Sequence, residues 1–282
     1  MRTGFGAVAA VLAVVVLAGC FGGVGQRDTP SVTPAPVPTD DGSLRTPVET
    51  VVPGVAVDGG VVPERVVDAH EATIRDTGFT VRMNWTARAV EDGGLVAEVN
   101  RTGRVPADRE RFALTTLVRG PDAPLPGATP SRLEYYTDGE WAVSSQRYAG
   151  ANVTYGARPA SNTPAMDVAR ALKGQQPDQD LYLLLTTLAV TAENTSEGVV
   201  LRADRITDEG LFGAALRLDD PRDVRFRATV TEDGFVSRYH LSVNATWAGH
   251  RVHITRTVTY SDVGTTTVSQ PPWYDEAVES VS

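Results

Sequence analysis

The sequence predicts an α+β fold, in which a large, curved, half-barrel-like antiparallel sheet carries helices packed on one face. Segments that alternate apolar and polar residues, typical of half-buried strands, occur on both sides of a helical region. Turn sequences such as residues 91–94 (EDGG) and Asp138-Gly139 join neighbouring segments into hairpins, which make the sheet antiparallel. Short hairpin connections imply one large sheet with its helices on a single side.

Composition excludes several classes of protein. The chain has 282 residues, of which 41% are hydrophobic, so it can bury a large core. Its formal net charge of −9 provides no basic surface to attract phosphates, which argues against nucleic-acid binding. Cys20 is the only cysteine, and this excludes an intramolecular disulfide and a cysteine-rich metal site.

The start of the chain has the features of an export signal. Arg2 precedes an apolar stretch over residues 7–18, and small residues follow it. Residues 17–20, Leu-Ala-Gly-Cys, resemble the lipobox of bacterial and archaeal lipoproteins. That resemblance implies a signal peptide over residues 1–19, cleavage just before Cys20 and a lipid on its sulfur. The expected location is therefore the extracellular face of the cell membrane, with the lipid as anchor.

An uncleaved membrane span is the alternative for this segment. Residues 4–25 contain no charged side chain, and their number is sufficient to cross a bilayer. Glycines at both ends weaken such a helix. Either interpretation leaves the rest of the chain outside the cell.

Residues 20–62 are predicted to be the lipidated cysteine and a disordered tether. Glycines come first, followed by Pro30, Pro34, Pro36 and Pro38, with aspartates after them. A segment of this composition cannot bury enough apolar surface to offset the entropy of ordering. Because prolines favour extended geometry, the tether is expected to hold a folded domain away from the membrane.

A single globular domain is predicted over residues 63–275, followed by a tail over residues 276–282. The domain begins with a helix at residues 63–78, in which Pro63 suits the first turn and Gly78 follows the end. The next segments alternate in polarity or contain hairpin turns, and strands are therefore predicted over residues 79–89, 95–103, 109–118, 132–145 and 151–158.

The middle of the domain changes to a helical period before strands return. Helices are predicted over residues 166–174 and 180–194, the second with leucines at helical spacing. Further alternating strands are predicted over residues 198–206, 222–230, 235–247 and 250–260.

The charged residues are unusual in kind, because Lys173 is the only lysine among 26 basic residues. This acidic, lysine-poor composition resembles that of proteins exported by halophilic archaea, in which net negative charge keeps a surface soluble at high salt. A GC-rich genome, which favours arginine codons, is the alternative explanation.

The order of elements, the segment EDGFVSRYHLSV and the lipobox are similar to the LolA and LppX/LprG-like lipoprotein superfamily. The similarity spans roughly residues 63–275. It implies a half-barrel sheet that holds lipids against helices, and it transfers no site residues. The ending TYSDVGTTTVSQPPWYDEA also resembles that of uncharacterised haloarchaeal lipoproteins.

Asparagine occurs almost entirely within glycosylation triplets. The chain has six asparagines, and composition alone would place about one of them in an N-x-[ST] triplet. Polar strand faces favour threonine, which raises that expectation but not to the observed number. We expect N-glycosylation at some of the five triplet positions: Asn84, Asn100, Asn152, Asn194 and Asn244.

The sequence contains no recognisable catalytic motif, so the protein is not expected to be an enzyme. His250 and His253 are three residues apart in a strand and point to opposite faces, unlike the paired ligands of a helical zinc motif. Acidic clusters do not follow calcium-loop spacing, and solvated surface is the better interpretation. We therefore predict no catalytic residues, metal ligands or cofactor.

Large side chains on the apolar strand faces and in the second helix suggest a ligand surface. Ordinary core is the alternative interpretation of these residues. The function predicted is a non-enzymatic binder or carrier of lipid or other apolar ligands, and the second hypothesis is a structural or interaction lipoprotein without a ligand. The candidates for apolar-ligand contact are Met83, Trp85, Leu184, Tyr239 and Trp247.

Overall fold

One antiparallel sheet dominates the fold. The computed structural model describes residues 49–121, 131–148, 152–160, 177–196 and 198–281, all within a compact unit, Thr46–Ser282. The predicted signal peptide, Cys20, residues 21–48 of the predicted tether and the predicted helix 166–174 lie outside the described residues. Among the described helices, none is long and apolar enough to cross a membrane.

Eleven of the described strands form this sheet, and most neighbours in space are neighbours in sequence. The strands are β3 (Phe79–Ala89), β4 (Leu95–Val105), β5 (Phe112–Arg119), β6 (Arg132–Thr137), β7 (Trp141–Arg147), β8 (Val153–Pro159), β9 (Thr191–Thr195), β10 (Gly198–Ala203), β11 (Asp219–Val230), β12 (Val236–Trp247) and β13 (His250–Ser261). Their order is β8-β7-β6-β5-β4-β3-β13-β12-β11-β10-β9. The sheet therefore stays open, with β8 and β9 at its two ends, and the predicted fold class is confirmed.

The pairing of β3 with β13 joins the two halves of the sheet. It is the one neighbour pair in the sheet whose strands are not consecutive in sequence among the strands described. Its register places Trp85 opposite Arg256 and Met83 opposite Val258. Because side chains alternate along a strand, these four residues point to the same face.

Four helices are described, and three of them cover one face of the sheet. They are α1 (Pro63–Arg75), α2 (Pro177–Thr187), α3 (Glu209–Leu216) and α4 (Tyr274–Glu279). Buried residues of α1, α2 and α3, such as Val66, Leu184 and Phe212, join one core with the inward residues of β3 and of β10 to β13. We call this side of the sheet the helix face.

The short helix α4 packs on the opposite face. Its Ala277 is fully buried against Tyr136 and Val143, which alternate with helix-face residues in β6 and β7. Residues 276–282 were predicted to be a tail, and the structure corrects this. The apolar positions Ala277 and Val278 cover apolar residues that β6 to β8 present on this side.

The folded region also begins before the predicted boundary at residue 63. Strands β1 (Thr50–Val52) and β2 (Val55–Ala56) pair as a hairpin, and Val52 and Val55 expose only 5% and 1% of their surface. Gly54 turns the chain at φ +82°, where a Cβ would lie 2.6 Å from the backbone nitrogen of Val66. Pro53 and Gly54 fall within the predicted tether, but they form the turn of this hairpin.

The second predicted helix is shorter than expected, and helix α3, like α4, was not predicted. Helix α2 ends at Thr187, and residues 191–195 form the end strand β9 instead of continuing the helix to 194. Helix α3 begins where the Asp208 carboxylate accepts a hydrogen bond from the backbone N–H of Leu211 at 2.9 Å.

Candidate functional site

The five residues predicted for apolar-ligand contact belong to one region of the helix face. Leu184 and Tyr239 are fully buried, at 0% and 1% exposure, and Met83 is also buried. Trp85 and Trp247 are half-buried and pack against the same core. The structure thus brings all five together, but only the two tryptophans present surface that a ligand could contact without displacing core residues.

The two tryptophans contact each other across an intervening strand. Their ring centroids lie 5.2 Å apart in an edge-to-face arrangement, although β13 separates β3 from β12. Edge-to-face packing is a favourable arrangement of the two ring quadrupoles. A half-buried aromatic pair of this kind forms a rigid apolar surface on the helix face.

Two arginines lie on the helix face among apolar residues. Arg101 of β4 is opposite Met83, and Arg256 of β13 is opposite Trp85. Both occupy the apolar phase of alternating strands, where Val99 and Val258 are their buried neighbours two residues away. Neither arginine was predicted as a site residue, although an arginine at an apolar position of an alternating strand is a recognisable signal.

Arg256 is compensated by a carboxylate from helix α2. Its guanidinium forms an ion pair with Asp180, and the arginine side chain retains only 8% of its exposure. Burial lowers the pKa of Arg256, but the neighbouring Tyr239 and Asp180 outweigh this effect and raise it overall. The guanidinium therefore stays charged and ties helix α2 to the sheet.

Arg101 has weaker compensation. Its Nε donates a hydrogen bond to the Thr116 hydroxyl at 3.2 Å, while one terminal nitrogen is buried with no hydrogen-bond partner among the described residues. Burial and the positive charge of Arg256 lower the pKa of Arg101 to about 10, and Asp180 opposes them. The cluster thus contains two positive charges and one negative charge.

This cluster has the chemistry of an anion site. A guanidinium presents several N–H donors in a fixed plane, which suits carboxylate and phosphate oxygens. In the part of the chain that the structure describes, no group of three or more His, Cys, Asp or Glu residues could hold a metal ion. We therefore treat Arg101, Arg256 and Asp180, with Met83 and Trp85, as the candidate site and call it the arginine site.

Three of the predicted glycosylation positions lie on the face opposite the helix face. Asn84 and Asn100 are directly opposite each other in β3 and β4, and the Asn84 amide donates a hydrogen bond to the Asn100 side-chain oxygen. Asn244 of β12 donates to Asp223 at 2.9 Å, and its side-chain oxygen lies 2.8 Å from His253 Nδ1.

The other two positions are exposed at the margins of the sheet. Asn152 immediately precedes β8, and Asn194 lies in β9, the two strands at the ends of the sheet. Asn194 had been placed at the end of a predicted helix, and the structure corrects that assignment. Its exposure in the end strand leaves the amide accessible.

Comparison with known proteins gives a family and two similar structures. The sequence model described as "Family of unknown function (DUF7537)" matches residues 6–277, and no curated protein matches the chain. A LolA superfamily protein from Nitrosomonas europaea is 10% identical, with a TM-score of 0.25, over 75% of this chain and 96% of that one. A DUF1329 family protein from Desulfovibrio piger is 9% identical, with a TM-score of 0.26, over 77% and 97%.

Proposed function

The chain belongs to DUF7537, a family of unknown function, and we propose that it is a membrane-anchored extracellular lipoprotein that binds or carries apolar ligands. We propose no enzymatic activity for the protein. The observation that supports ligand binding is the half-buried Trp85–Trp247 pair on the helix face. Aromatic side chains held rigidly at a partly exposed apolar surface are typical of sites for hydrophobic ligands.

The apolar surface extends beyond the tryptophans toward β6. Half-buried Tyr135 stacks on buried Phe112 with ring centroids 5.3 Å apart, and both point to the helix face. Leu133, on the same face of β6, is half-buried. A chain-like ligand lying across the strands would find apolar contacts at several points along this face.

The anchor is proposed from the sequence at the start of the chain. Residues 17–20 supply the lipobox, and residues 21–45 separate Cys20 from the compact unit that begins at Thr46. A spacer of this length would let the domain reach ligands beyond the membrane surface. Cys20→Ala is expected to abolish maturation and lipid labelling, and a mature protein that keeps Met1 would contradict the anchor.

The five triplet asparagines fit the same location. Glycans on Asn84, Asn100 or Asn244 would project from the face opposite the helix face, so they would leave the proposed ligand surface free. We propose N-glycosylation at some of these positions. Glycopeptide mass spectrometry of the native protein would detect it, and five unmodified triplets would contradict it.

A structural lipoprotein without a ligand is the second candidate. Full burial of Leu184 and Tyr239 supports it, because that part of the helix face is already filled by the protein's own side chains. Solvent extraction of the natively purified protein, followed by mass spectrometry, separates the two candidates. The covalent anchor stays on the protein, so a carrier releases stoichiometric lipid and a purely structural protein releases none.

A further inference from the structure

We propose that the ligand on the helix face carries an anionic headgroup, a carboxylate or a phosphate, and that Arg101 binds it. This inference rests on the proposed function, because it specifies the ligand of that same surface. The headgroup would accept hydrogen bonds from the Arg101 guanidinium, and the apolar portion would lie toward the Trp85–Trp247 pair.

The positive charges of the two arginines are compensated unequally. Arg256 has Asp180 as a direct partner, whereas Arg101 has the neutral hydroxyl of Thr116. Asp180 and Arg256 are the charged groups that influence Arg101 from α2 and β13. Together the three side chains leave one positive charge uncompensated at a largely buried position, which is costly unless an anion is present.

Buried hydrogen-bond donors without a partner among the described residues occur at this site, and Nε of Arg256 is one of them. A terminal nitrogen of Arg101 is buried without a partner among the described residues. A buried donor without an acceptor costs more than a satisfied hydrogen bond contributes. A carboxylate or phosphate oxygen beside Arg101 would accept from this nitrogen and would neutralise the extra charge at the same time.

Apolar side chains surround the position of Arg101 in the sheet. Arg101 lies opposite Met83, and its neighbour along β4, Val99, lies opposite Trp85 on one side and Val118 on the other. Val99, Val118 and Met83 are buried core residues. One uncompensated positive charge bordered by apolar side chains matches an amphiphile, whose charge and hydrocarbon are adjacent, better than it matches a free hydrophilic anion.

Headgroup preference tests the inference directly. The native protein in a nonionic detergent would be titrated with dodecyl phosphate, dodecanoate and dodecanol, and with inorganic phosphate alone. We expect both anionic amphiphiles to bind at least tenfold more tightly than dodecanol. Inorganic phosphate should bind weakly, because it gains nothing from the apolar surface. Equal binding of all three amphiphiles would overturn the inference but keep the proposed function, and no binding by any would contradict both.

Substitutions test whether Arg101 causes the preference for anionic headgroups. Arg101→Met should reduce the preference for dodecyl phosphate over dodecanol to about twofold or less. Arg104→Met is the matched control, because Arg104 is exposed on the opposite face of the same strand, and it should keep the full preference. If Arg101→Met does not fold, Arg101→Gln replaces it. A folded Arg101 variant that keeps the full preference would overturn the assignment, as would tight binding of inorganic phosphate alone.

Discussion

Asp180 of helix α2 forms an ion pair with Arg256 of strand β13, and this pair links the helix layer to the centre of the sheet. The Asp180 side chain keeps 18% of its exposure and the Arg256 side chain 8%, so the pair is largely removed from solvent. Both members of the pair also act electrostatically on Arg101: Arg256 lowers its pKa and Asp180 raises it. Helix position, sheet packing and the charge of the arginine site are therefore coupled.

Removing the carboxylate should destabilise the fold. Asp180→Asn leaves the buried Arg256 without its counter-charge, and we expect the free energy of unfolding to fall by about 3 kcal/mol. Urea denaturation measures this change. Asp204→Asn, at an exposed position, should change it by less than about 0.5 kcal/mol. Equal stability of the Asp180 variant and the wild type would show that the pair is unimportant.

Stability should depend on pH through His70 of helix α1. The imidazole is fully buried between Phe235 and Tyr260, at ring distances of 5.1 and 4.8 Å, and burial lowers its pKa from 6.5 to about 4. In the unfolded chain His70 is therefore protonated below about pH 6.5, whereas in the folded chain it is protonated only below about pH 4. Stability falls as the pH drops between these values, by roughly 3 kcal/mol in total.

The contribution of His70 is isolated by the variant His70→Leu, which cannot be protonated. The difference in unfolding free energy between wild type and variant should change across this pH window and stay constant above about pH 7. Denaturant titrations at several pH values provide the measurement. Parallel stability curves for the two proteins would rule out His70 as the titrating group.

Asn84 and Asn100 should not both carry a glycan in the same molecule. Their side chains are hydrogen-bonded partners at opposed positions of adjacent strands, where Cβ atoms lie about 5 Å apart. Thr86→Ala removes the Asn84 triplet and should increase glycan occupancy at Asn100, while Asn152 keeps its occupancy. Mass spectrometry of intact glycopeptides from the natively expressed protein measures the glycan occupancy of all three sites. A peptide pair fully occupied at both positions would contradict the prediction.

The C-terminal helix should stabilise the domain through one hydroxyl. Tyr274 donates a hydrogen bond of 2.5 Å to the Asp138 carboxylate, which also accepts from the backbone N–H of Trp141. Tyr274→Phe should lower the free energy of unfolding by about 1–2 kcal/mol, measured by urea denaturation. Tyr182→Phe removes an exposed hydroxyl and serves as the matched control. Similar small effects of both substitutions would argue against a role for the Tyr274 contact.

The strands were predictable because their side chains follow a simple alternation. In β3, for example, Val81 and Met83 are buried while Arg82 and Asn84 are exposed, as the pattern predicts. A period of two is decisive when one face of a strand is buried and the other faces water. Hairpin turns then determine which strands are neighbours, so most of the sheet order follows from the sequence.

The elements that depend on tertiary contacts were not predictable in the same way. Residues 50–56 look like linker, because Pro53 and Gly54 are typical of loops as well as of tight hairpins, and only packing against α1 distinguishes them. Helix α4 is too short for its pattern to be recognised without the surface that it covers.

The arginine site could be only partly predicted, since polarity alone does not show where a charge finds compensation. Arg101 and Arg256 occupy similar apolar-phase positions, yet one has a carboxylate partner and the other does not. Asp180 reaches Arg256 from 76 residues away in the sequence. Such a long-range pairing follows from the packing of α2 on the sheet.

The most direct test of the account is quenching of tryptophan fluorescence by a fatty acid brominated along its chain, because bromine quenches indole only at short range. Trp85 and Trp247 lie on the helix face, whereas Trp141 and Trp273 lie on the opposite face with α4. We predict quenching in the wild-type protein and in the Trp141→Phe/Trp273→Phe variant, and its loss in the Trp85→Phe/Trp247→Phe variant. Absence of quenching in the wild type, or equal quenching in both variants, would contradict a ligand on the helix face.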